Sequence, residues 1–358
     1  MEALLMFNDL VVKSYKKEYT VKYVDAIGAE TLQPLSNEFL VIDENINHLY
    51  PHIREYFDES KTYVFKAHEG SKTLKFCTQL LNFLVENNFK RNNKLIAVGG
   101  GITQDVVGFT SSVMYRGVDW IFFPTTLLAQ ADSCIGSKTS INFNGAKNLI
   151  GTFHPPLEIF CCVEFLNTLP QKDIKSGIGE VLHYYLIDDY NKAIDMMGEY
   201  DNIVKGDFSL MKKHIKQSLE IKKKIIEIDE FDQKIRKVFN YGHTFGHAIE
   251  ALTDYSISHG QAVTLGMDLA NYVSYNLGYI DETLFVKMHN ILKRNIPEYA
   301  VEEGDLDKYI GLLMKDKKNI NNSVGCILLK EENKAEITYI DDLDRLRLLI
   351  KEYFRYEK

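Results

Sequence analysis

Three histidines that lie close together in the sequence are the residues best suited to chemistry. His243 and His247 are four residues apart in NYGHTFGHAIE, and His259 follows in ISHGQAV. If the first segment is helical, His243 and His247 lie one turn apart on the same face. Imidazoles in this arrangement could bind a metal ion or an anion, or could simply pack in a core.

Glu180 supplies a carboxylate that could complete a metal site with these histidines. In SGIGEVLHYYLI, Glu180 and His183 interrupt an apolar helical pattern, and a buried carboxylate is costly without a metal or a partner. Two imidazoles, one carboxylate and an open position are typical of catalytic zinc. Spacing alone leaves open which two histidines join Glu180, and packed histidines without a metal remain an alternative.

Two other segments could bind phosphate groups or a nucleotide. In AVGGGITQDVVGF the glycines follow a β-rich run and precede a helical pattern, so backbone amides could contact a pyrophosphate, although a tight turn alone also explains them. Asp43, at the end of another β-rich run, could bind a ribose or lie in an exposed turn. The segment from Pro124 to Pro156 gathers lysine and amide side chains in a glycine-punctuated loop region, which predicts either a phosphate site or a solvated loop.

The surrounding pattern predicts the elements that position these residues. The first half alternates β-rich runs (NEFLVIDENI, KTYVFKAHEG, NKLIAVGGG, VDWIFFPTTLL) with helical patterns such as SKTLKFCTQLLNFLVENNF, and a strand pair is predicted around Pro155 and Pro156. This order is typical of a parallel sheet that binds a nucleotide. From Lys172 to about Asn276 the pattern is helical, and a hairpin is predicted at CILLKEENKAEITYI. We therefore predict an α/β domain over 1–169 and a mainly helical domain over 170–358.

Composition restricts the class of function. A chain of 358 residues is long for one core, and 45% hydrophobic with 26% charged residues is typical of a globular protein. A net charge of -8 argues against nucleic acid as the main partner and favours a small molecule. Five cysteines without a CxxC pair indicate reduced thiols. Because the sequence shows neither a basic leader nor an apolar run of about 20 residues, we expect a cytoplasmic protein without membrane contact.

Six ordered blocks between Gly99 and Val263 resemble the sugar phosphate cyclase family, and most closely its 3-dehydroquinate synthases. The blocks are GGGITQDVVGF, MYRGVDWIFFPTTLLAQADSCIGSKTSIN, KNLIGTFHPP, SGIGEVLHYYLI, NYGHTFGHAIE and HGQAV. The resemblance implies an N-terminal Rossmann-like NAD-binding domain and a C-terminal mainly helical metal-binding domain, with catalysis in the cleft between them.

The same resemblance assigns residues to each ligand. It implies that Zn²⁺ or Co²⁺ is bound by Glu180, His243 and His259. The implied substrate-site residues are Asp132, Lys138, Asn148, Lys222, Arg236, Asn240, His247 and either Lys317 or Lys318, with Lys318 preferred. The implied NAD contacts are Asp43, Asn45, Glu69, Lys72, Gly99, Gly100, Gly101, Asp105, Thr125, Thr126, Lys147 and Thr168. Arg116 resembles an arginine that reaches across the interface of a homodimer.

The implied reaction converts a small phosphorylated sugar acid, 3-deoxy-D-arabino-heptulosonate 7-phosphate, into 3-dehydroquinate and phosphate. The metal and Lys222 would acidify the C5 hydroxyl so that a hydride can leave to NAD, and the new ketone would permit loss of phosphate. The hydride would then return, and an intramolecular aldol step would close the ring. No net oxidation results.

Three positions depart from the synthase pattern and leave alternatives open. His183 stands where these synthases usually carry Lys, Gln261 replaces a Glu, and Asp232 stands where Glu is usual. A cyclase acting on a different sugar phosphate is therefore an alternative, and we expect His183 to contact a substrate hydroxyl. Arg236 and Asn240 match the synthase pattern, and Arg236 suits a carboxylate, which favours the heptulosonate. A metal- and NAD-dependent polyol dehydrogenase and a catalytically silent relative are the remaining alternatives.

Overall fold

The computed structural model of the chain describes residues 8–315, 319 and 323–356. Its contacts divide the chain into two compact units: a first unit of Met1–Pro170 with Met211–Phe231, and a second unit of Gln171–Leu210 with Asp232–Lys358. The break after Pro170 lies next to the boundary read from the sequence, but residues 211–231 group with the first unit. The division into domains of 1–169 and 170–358 stays a prediction.

The elements follow one another in this order along the chain. The strands are β1 (Leu10–Val12), β2 (Tyr19–Val24), β3 (Phe39–Asp43), β4 (Thr62–Phe65), β5 (Leu95–Gly99), β6 (Trp120–Pro124), β7 (Lys138–Phe143), β8 (Ala146–Phe153), β9 (Glu158–Cys162), β10 (Val324–Glu331) and β11 (Lys334–Ile340). The α-helices are α1 (Ala29–Leu32), α2 (Glu44–Leu49), α3 (Leu74–Glu86), α4 (Gly101–Val113), α5 (Gln171–Asp188), α6 (Tyr190–Val204), α7 (Phe208–Ile226), α8 (His243–Leu252), α9 (His259–Asn276), α10 (Glu282–Leu292), α11 (Leu306–Leu313) and α12 (Leu343–Tyr356). The 3-10 segments are Gln33–Leu35, Pro51–Tyr56, Glu59–Lys61, Glu69–Ser71, Met114–Arg116, Val163–Thr168, Ile235–Asn240 and Glu303–Asp305, and Ala129–Ser133 is a π-helical turn.

A mostly parallel sheet forms the centre of the first unit. Its strands lie in the order β1-β2-β9-β6-β5-β3-β4, with only β1 and β2 antiparallel to each other among the described strands of this sheet. Every residue of β5 (LIAVG) and β6 (WIFFP) is buried, as expected for parallel strands covered on both faces. The predicted strands β3 to β6 and helices α3 and α4 are confirmed.

The crossovers define where this sheet can bind a ligand. From β3 the chain goes to β4 on one side, whereas β5 lies on the other side of β3. The loops that leave β3 and β5 therefore run in opposite directions at the carboxyl ends of the strands, and such a point is where open α/β sheets bind ligands. Asp43 ends β3 and Gly99 ends β5, so both lie at this switch point.

The prediction of a loop region between Pro124 and Pro156 was wrong in part, because this segment contains regular elements. Residues Ala129–Ser133 form the π-helical turn, and β7 and β8 form an antiparallel hairpin. The strand predicted before Pro155 is β8, but its first five residues include four exposed ones and none that is buried, so its N-terminal part lacks the alternation typical of a strand. The two strands predicted on either side of the prolines exist, but β8 pairs with β7, while β9 lies between β2 and β6 in the main sheet.

The second unit is helical around α9, with the antiparallel β10–β11 hairpin where the sequence predicted one. Helix α9 contacts α5, α8, α10 and α12 and is buried along most of its length, because its sequence places small and apolar residues on nearly every face. This confirms the predicted helical part. Among the residues described, no helix has both the length and the apolar character that crossing a membrane requires.

Candidate functional site

The second unit brings the three histidines together. His243 begins α8, His247 lies one turn later, and His259 begins α9. The ring centroids are 5.4 to 5.5 Å apart, and one ring nitrogen from each histidine lies within 4.8 Å of the others. The helical prediction for NYGHTFGHAIE is confirmed, and the rings are close enough to share one ion.

Glu180 faces the same cluster from α5. Its Oε1 lies 3.1 Å from Nε2 of His259 and 3.7 Å from Nε2 of His243. The Glu180 side chain is only 2% exposed, and a carboxylate buried to this degree requires a partner of opposite charge. The two Nε2 atoms thus converge on one carboxylate oxygen.

The other ring nitrogens of His243 and His259 are held by the protein. Nδ1 of His243 donates to the carbonyl oxygen of Tyr241 at 3.1 Å, and Nδ1 of His259 donates to Oε2 of Glu250 at 3.0 Å. A ring that donates through Nδ1 leaves Nε2 as its ligand atom. One carboxylate oxygen and two directed imidazole nitrogens fit Zn²⁺ or Co²⁺.

The pKa values of His243 and His259 are shifted in opposite directions. Burial lowers the pKa of His243 to about 3, although Glu180 opposes the shift. Burial also acts to lower the pKa of His259, but hydrogen bonds and charge from Glu180 and Glu250 outweigh it and raise the pKa well above its ordinary value. Because a metal ligand must be deprotonated, binding at His259 has to displace a proton.

Close contact between α5 and α9 fixes the distance from Glu180 to His259. A Cβ atom on Gly179 would lie 2.0 Å from the carbonyl oxygen of Gly260, and one on Gly260 would lie 1.8 Å from that of Ser176. Only glycine allows the backbones to approach this closely. The two glycines are direct neighbours of Glu180 and His259 in the sequence, so this contact sets the ligand geometry.

His183 is buried beside the histidine cluster. Its side chain has no exposed surface, and its ring centroid lies 5.1 Å from that of His243, 5.0 Å from Tyr184 and 6.0 Å from Phe239. These edge-on contacts are typical of packed rings. A contact of His183 with a substrate hydroxyl stays a prediction.

Arg236 and Asn240 lie in the 3-10 segment that leads into α8. Arg236 is buried and Asn240 half-buried, and the amide nitrogen of Asn240 donates to the carbonyl oxygen of Lys237 at 3.0 Å. Their predicted contacts with substrate stay predictions.

The other two departures from the synthase pattern have local structural contexts. Asp232 has a φ of 58°, a left-handed conformation that aspartate adopts more readily than most residues. Gln261 accepts a hydrogen bond from the hydroxyl of Ser258 at 3.1 Å, at the N-terminus of α9. The amide of Gln261 is therefore engaged with the residue that precedes the helix.

In the first unit, Lys222 and Asp132 form a pair. Nζ of Lys222 donates to Oδ1 and to the backbone carbonyl of Asp132, both at 2.7 Å, and Lys222 is 5% exposed. Ser218, one turn earlier on α7, donates to the carbonyl oxygen of Ala131 at 2.8 Å. Both acceptors lie in the π-helical turn, and such turns are frequent at functional sites. These hydrogen bonds explain why residues 211–231 group with the first unit.

A second polar cluster joins the hairpin to the residues predicted to contact NAD. Nζ of Lys72 lies 2.7 Å from Oδ2 of Asp105 and donates to Oδ1 of Asn148 at 2.8 Å. Burial raises the pKa of Asp105, while Lys72 and hydrogen bonds from Ser140 oppose the shift. This cluster therefore contains two residues predicted to contact NAD, Lys72 and Asp105, and one predicted to contact the substrate, Asn148.

The same hairpin also carries the other predicted lysines. The Lys147 ammonium lies 4.0 Å from Glu69 Oε1, which accepts a hydrogen bond from the Asn142 amide at 2.7 Å. Lys138 is exposed at the first position of β7.

The remaining residues predicted for NAD lie after β3, β5, β6 and β9. Oδ1 of Asp43 accepts from the backbone N–H of Asn45 at 3.3 Å, and burial raises the pKa of Asp43. Gly100 precedes the first residue of α4, Gly101. Thr125 N–H donates to the carbonyl oxygen of Gly99 at 3.0 Å, and Thr126 accepts from Ala129 N–H at 3.1 Å. Thr168 ends the 3-10 segment after β9.

The predicted interface residue Arg116 lies on the surface of the first unit. Arg116 is exposed in a segment where Tyr115, Arg116 and Gly117 have positive φ angles of 49°, 66° and 121°. Two successive non-glycine residues in this region indicate a strained turn. Lys317 and Lys318 lie outside the described residues.

Glu250 was missed by the reading of the sequence. It follows His243 by seven residues and His247 by three, so all three lie on one face of α8. This polar stripe within NYGHTFGHAIE was the available signal, but its partner on α9 could not be read from spacing.

Two family models match consecutive parts of the chain. The sequence model described as 3-dehydroquinate synthase N-terminal matches residues 62–176, and that described as 3-dehydroquinate synthase C-terminal matches residues 177–319. The 3-dehydroquinate synthase of Thermoanaerobacter pseudethanolicus is 34% identical over 349 residues, covering 95% of this chain and 98% of that protein. The 3-dehydroquinate synthase of Clostridium tetani is 38% identical over 307 residues, covering 84% and 82%. A 2-deoxy-scyllo-inosose synthase crystallised with carbaglucose-6-phosphate, NAD⁺ and Co²⁺ has the same fold, with a TM-score of 0.86 at 23% identity over 96% of this chain and 100% of that one.

Proposed function

The chain belongs to the 3-dehydroquinate synthase family, and from this membership we propose that it converts 3-deoxy-D-arabino-heptulosonate 7-phosphate into 3-dehydroquinate and phosphate. The observation that carries the proposal is the convergence of Nε2 of His243 and of His259 on Oε1 of Glu180. Relatives that are 3-dehydroquinate synthases match along most of the chain, which supports the same reaction here.

Two cofactors supply chemistry that side chains lack. A divalent metal held by Glu180, His243 and His259 would act as a Lewis acid toward developing negative charge on substrate oxygens. NAD, at the carboxyl ends of the strands of the first unit, would serve as a transient hydride acceptor.

Lys222 is the proposed proton-handling group of the first unit. Its ammonium is fixed by two hydrogen bonds to Asp132, which leaves one of its three N–H groups for a substrate hydroxyl. A positioned ammonium stabilises the oxyanion that forms when this hydroxyl loses its proton. Asp132 thereby sets the direction of the remaining N–H.

Recognition of the substrate is assigned to charged groups at its two ends. Arg236 would bind the carboxylate through two parallel hydrogen bonds, with Asn240 beside it. His247, which is exposed, and Lys318 or Lys317 would bind the phosphate. Binding energy at both ends orients the carbon atoms between them for successive steps.

The other parts of the proposal concern NAD and assembly. Lys138 and Asn148 are assigned to substrate, and the residues named above from Asp43 to Thr168 are assigned to NAD. Arg116 is assigned to the partner's site in a homodimer, and its exposure supports this. A cytoplasmic location is proposed from the reduced thiols that the composition indicates.

The test measures phosphate release from the heptulosonate by zinc-loaded protein with NAD, while absorbance at the NADH band is followed. We expect phosphate release without accumulating NADH. Accumulating NADH without phosphate would indicate a polyol dehydrogenase. No reaction with metal and NAD both bound would indicate a different sugar phosphate, and the same assay on glucose 6-phosphate and sedoheptulose 7-phosphate would distinguish the alternatives.

A further inference from the structure

We propose that Glu250 is a positioning residue of the metal site, which holds the His259 ring so that Nε2 is presented to the metal. The inference rests on the proposed function, because that function assigns His259 as a ligand. The sequence analysis did not name Glu250, which contacts Nδ1 of His259, whereas Glu180 faces Nε2 of the same ring.

The geometry places the His259 ring between two carboxylates. Nδ1 donates to Oε2 of Glu250 at 3.0 Å, and Nε2 lies 3.1 Å from Oε1 of Glu180. The Glu250 side chain is largely buried, so its charge acts at close range with little solvent screening. Helix α8 thus presents His243 and, two turns later, the carboxylate that orients the histidine of α9.

The two carboxylates have different roles because they contact different ring nitrogens. Oε1 of Glu180 faces Nε2 of both His243 and His259, so it belongs to the ligand set. When Nε2 of His259 binds a metal it can no longer donate to Glu180, and Glu250 then remains to hold the ring. A carboxylate on the second ring nitrogen fixes the tautomer and raises the basicity of the ligand.

The orientation of His259 depends on a side-chain contact, whereas that of His243 depends on a backbone contact. The His259 side chain is 33% exposed, whereas that of His243 is 14% exposed. The Nδ1 atom of His243 is held by a backbone carbonyl, which no side-chain substitution removes. Loss of Glu250 would leave the more exposed ring free to rotate away from the metal.

The experiment measures zinc affinity by competition with a chromophoric chelator. Glu250→Gln keeps the size of the side chain and removes its charge, and we expect zinc binding to weaken roughly 10- to 100-fold. With Co²⁺ in place of zinc, we also expect the visible absorption spectrum to change, since the orientation of one ligand changes. Zinc affinity within twofold of the unsubstituted protein would overturn the proposal.

Asp268→Asn is the matched control. Asp268 accepts a hydrogen bond from Nδ1 of His289 at 2.9 Å, and it follows His259 by nine residues, about 13 Å along α9. This variant removes the charge from a histidine–carboxylate pair in the same unit, where Asp268 also accepts a hydrogen bond from the Tyr353 hydroxyl at 2.7 Å, and we expect unchanged zinc affinity with a lower thermal midpoint. An equal loss of zinc affinity in both variants would assign the effect to general destabilisation and overturn the proposal.

Two further outcomes are distinguishable. If Glu250→Gln fails to fold, Glu250→Asp replaces it, because the shorter side chain keeps the charge but withdraws the oxygen from Nδ1; the same loss of affinity is expected, and an unchanged affinity would refute the role. Zinc affinity is measured without substrate. A protein that forms dehydroquinate but binds zinc equally with and without Glu250 would retain the proposed function and lose this inference.

Discussion

Replacing Gly179 with alanine is expected to separate α5 from α9 and to weaken metal binding. The added Cβ would lie 2.0 Å from the carbonyl oxygen of Gly260, and an ordinary contact begins at 3.4 Å. The obstacle is backbone, which cannot rotate away. The two helices must therefore move apart locally by about 1.4 Å, the difference between these two distances.

A movement of this size is a large fraction of the length of a zinc–oxygen bond. Glu180 follows Gly179 directly, and zinc–oxygen distances are about 2.0 to 2.2 Å, so Glu180 would be drawn out of reach of an ion held by the histidines. Overpacking of this kind costs about 1 to 3 kcal/mol of unfolding free energy. We expect a net loss of stability and a fall in zinc affinity of more than roughly tenfold, the size of effect typical when a group that supports a metal ligand is removed.

Gly198→Ala provides a control that should raise the free energy of unfolding instead of lowering it. Gly198 lies within α6, and a Cβ there would meet no atom within 4 Å, so alanine should stabilise the helix by about 0.5 to 1 kcal/mol. Denaturant midpoints and chelator competition would be measured for both variants. Stability and zinc affinity in Gly179→Ala equal to those of Gly198→Ala would refute the argument that helix contact fixes the ligand geometry.

Three further predictions concern the charged groups. Lys222→Met should lower the rate of phosphate release roughly 10²- to 10⁴-fold while zinc affinity, measured by chelator competition, stays unchanged; a loss of both would contradict it. In metal-stripped protein, the lowered pKa of His243 should remove stability as pH falls from 6.5 toward about 3, and the raised pKa of His259 should remove stability as pH rises above 6.5. Urea midpoints measured from pH 6.5 to about 8, below the range in which the buried thiols contribute, should therefore fall less steeply in His259→Asn than in the unsubstituted protein, and an equal fall would refute this assignment. Arg116→Ala and Lys222→Met should each be inactive alone but regain activity when mixed and reassociated, if Arg116 acts in the partner's site; no recovery in confirmed mixed dimers would refute it.

Elements with strong burial patterns could be predicted from the sequence. Strands β5 and β6 are apolar at every position and buried, and the glycines after β5 predicted the turn into α4. The strand before Pro155 was predicted, but the hairpin of β7 and β8 was not, even though burial alternates along β7. Its strands are held by pairing with each other, which is a contact between segments and not a property of either one.

The candidate site was predictable in its members but not in its geometry. Spacing placed His243 and His247 on one face, and it left open which histidines join Glu180. The hydrogen bonds of their Nδ1 atoms turn Nε2 of His243 and of His259 toward Glu180, which supports the proposed choice of these two histidines. These contacts depend on how α5, α8 and α9 cross, and local sequence does not encode helix crossings directly.

Lys222 lies between the proposed metal ligands in the sequence but groups with a different structural unit. The proposed metal ligands Glu180, His243 and His259 all belong to the second unit, whereas Lys222 lies on the part of α7 that groups with the first. Lys222 is held there by Asp132, a residue some ninety positions earlier in the chain. Because the ammonium and the metal ligands have separate supporting contacts, substitution of Lys222 should remove proton handling and leave zinc affinity intact. The predicted boundary after residue 169 places all four of these residues in one domain, whereas the contacts group Lys222 with the first unit.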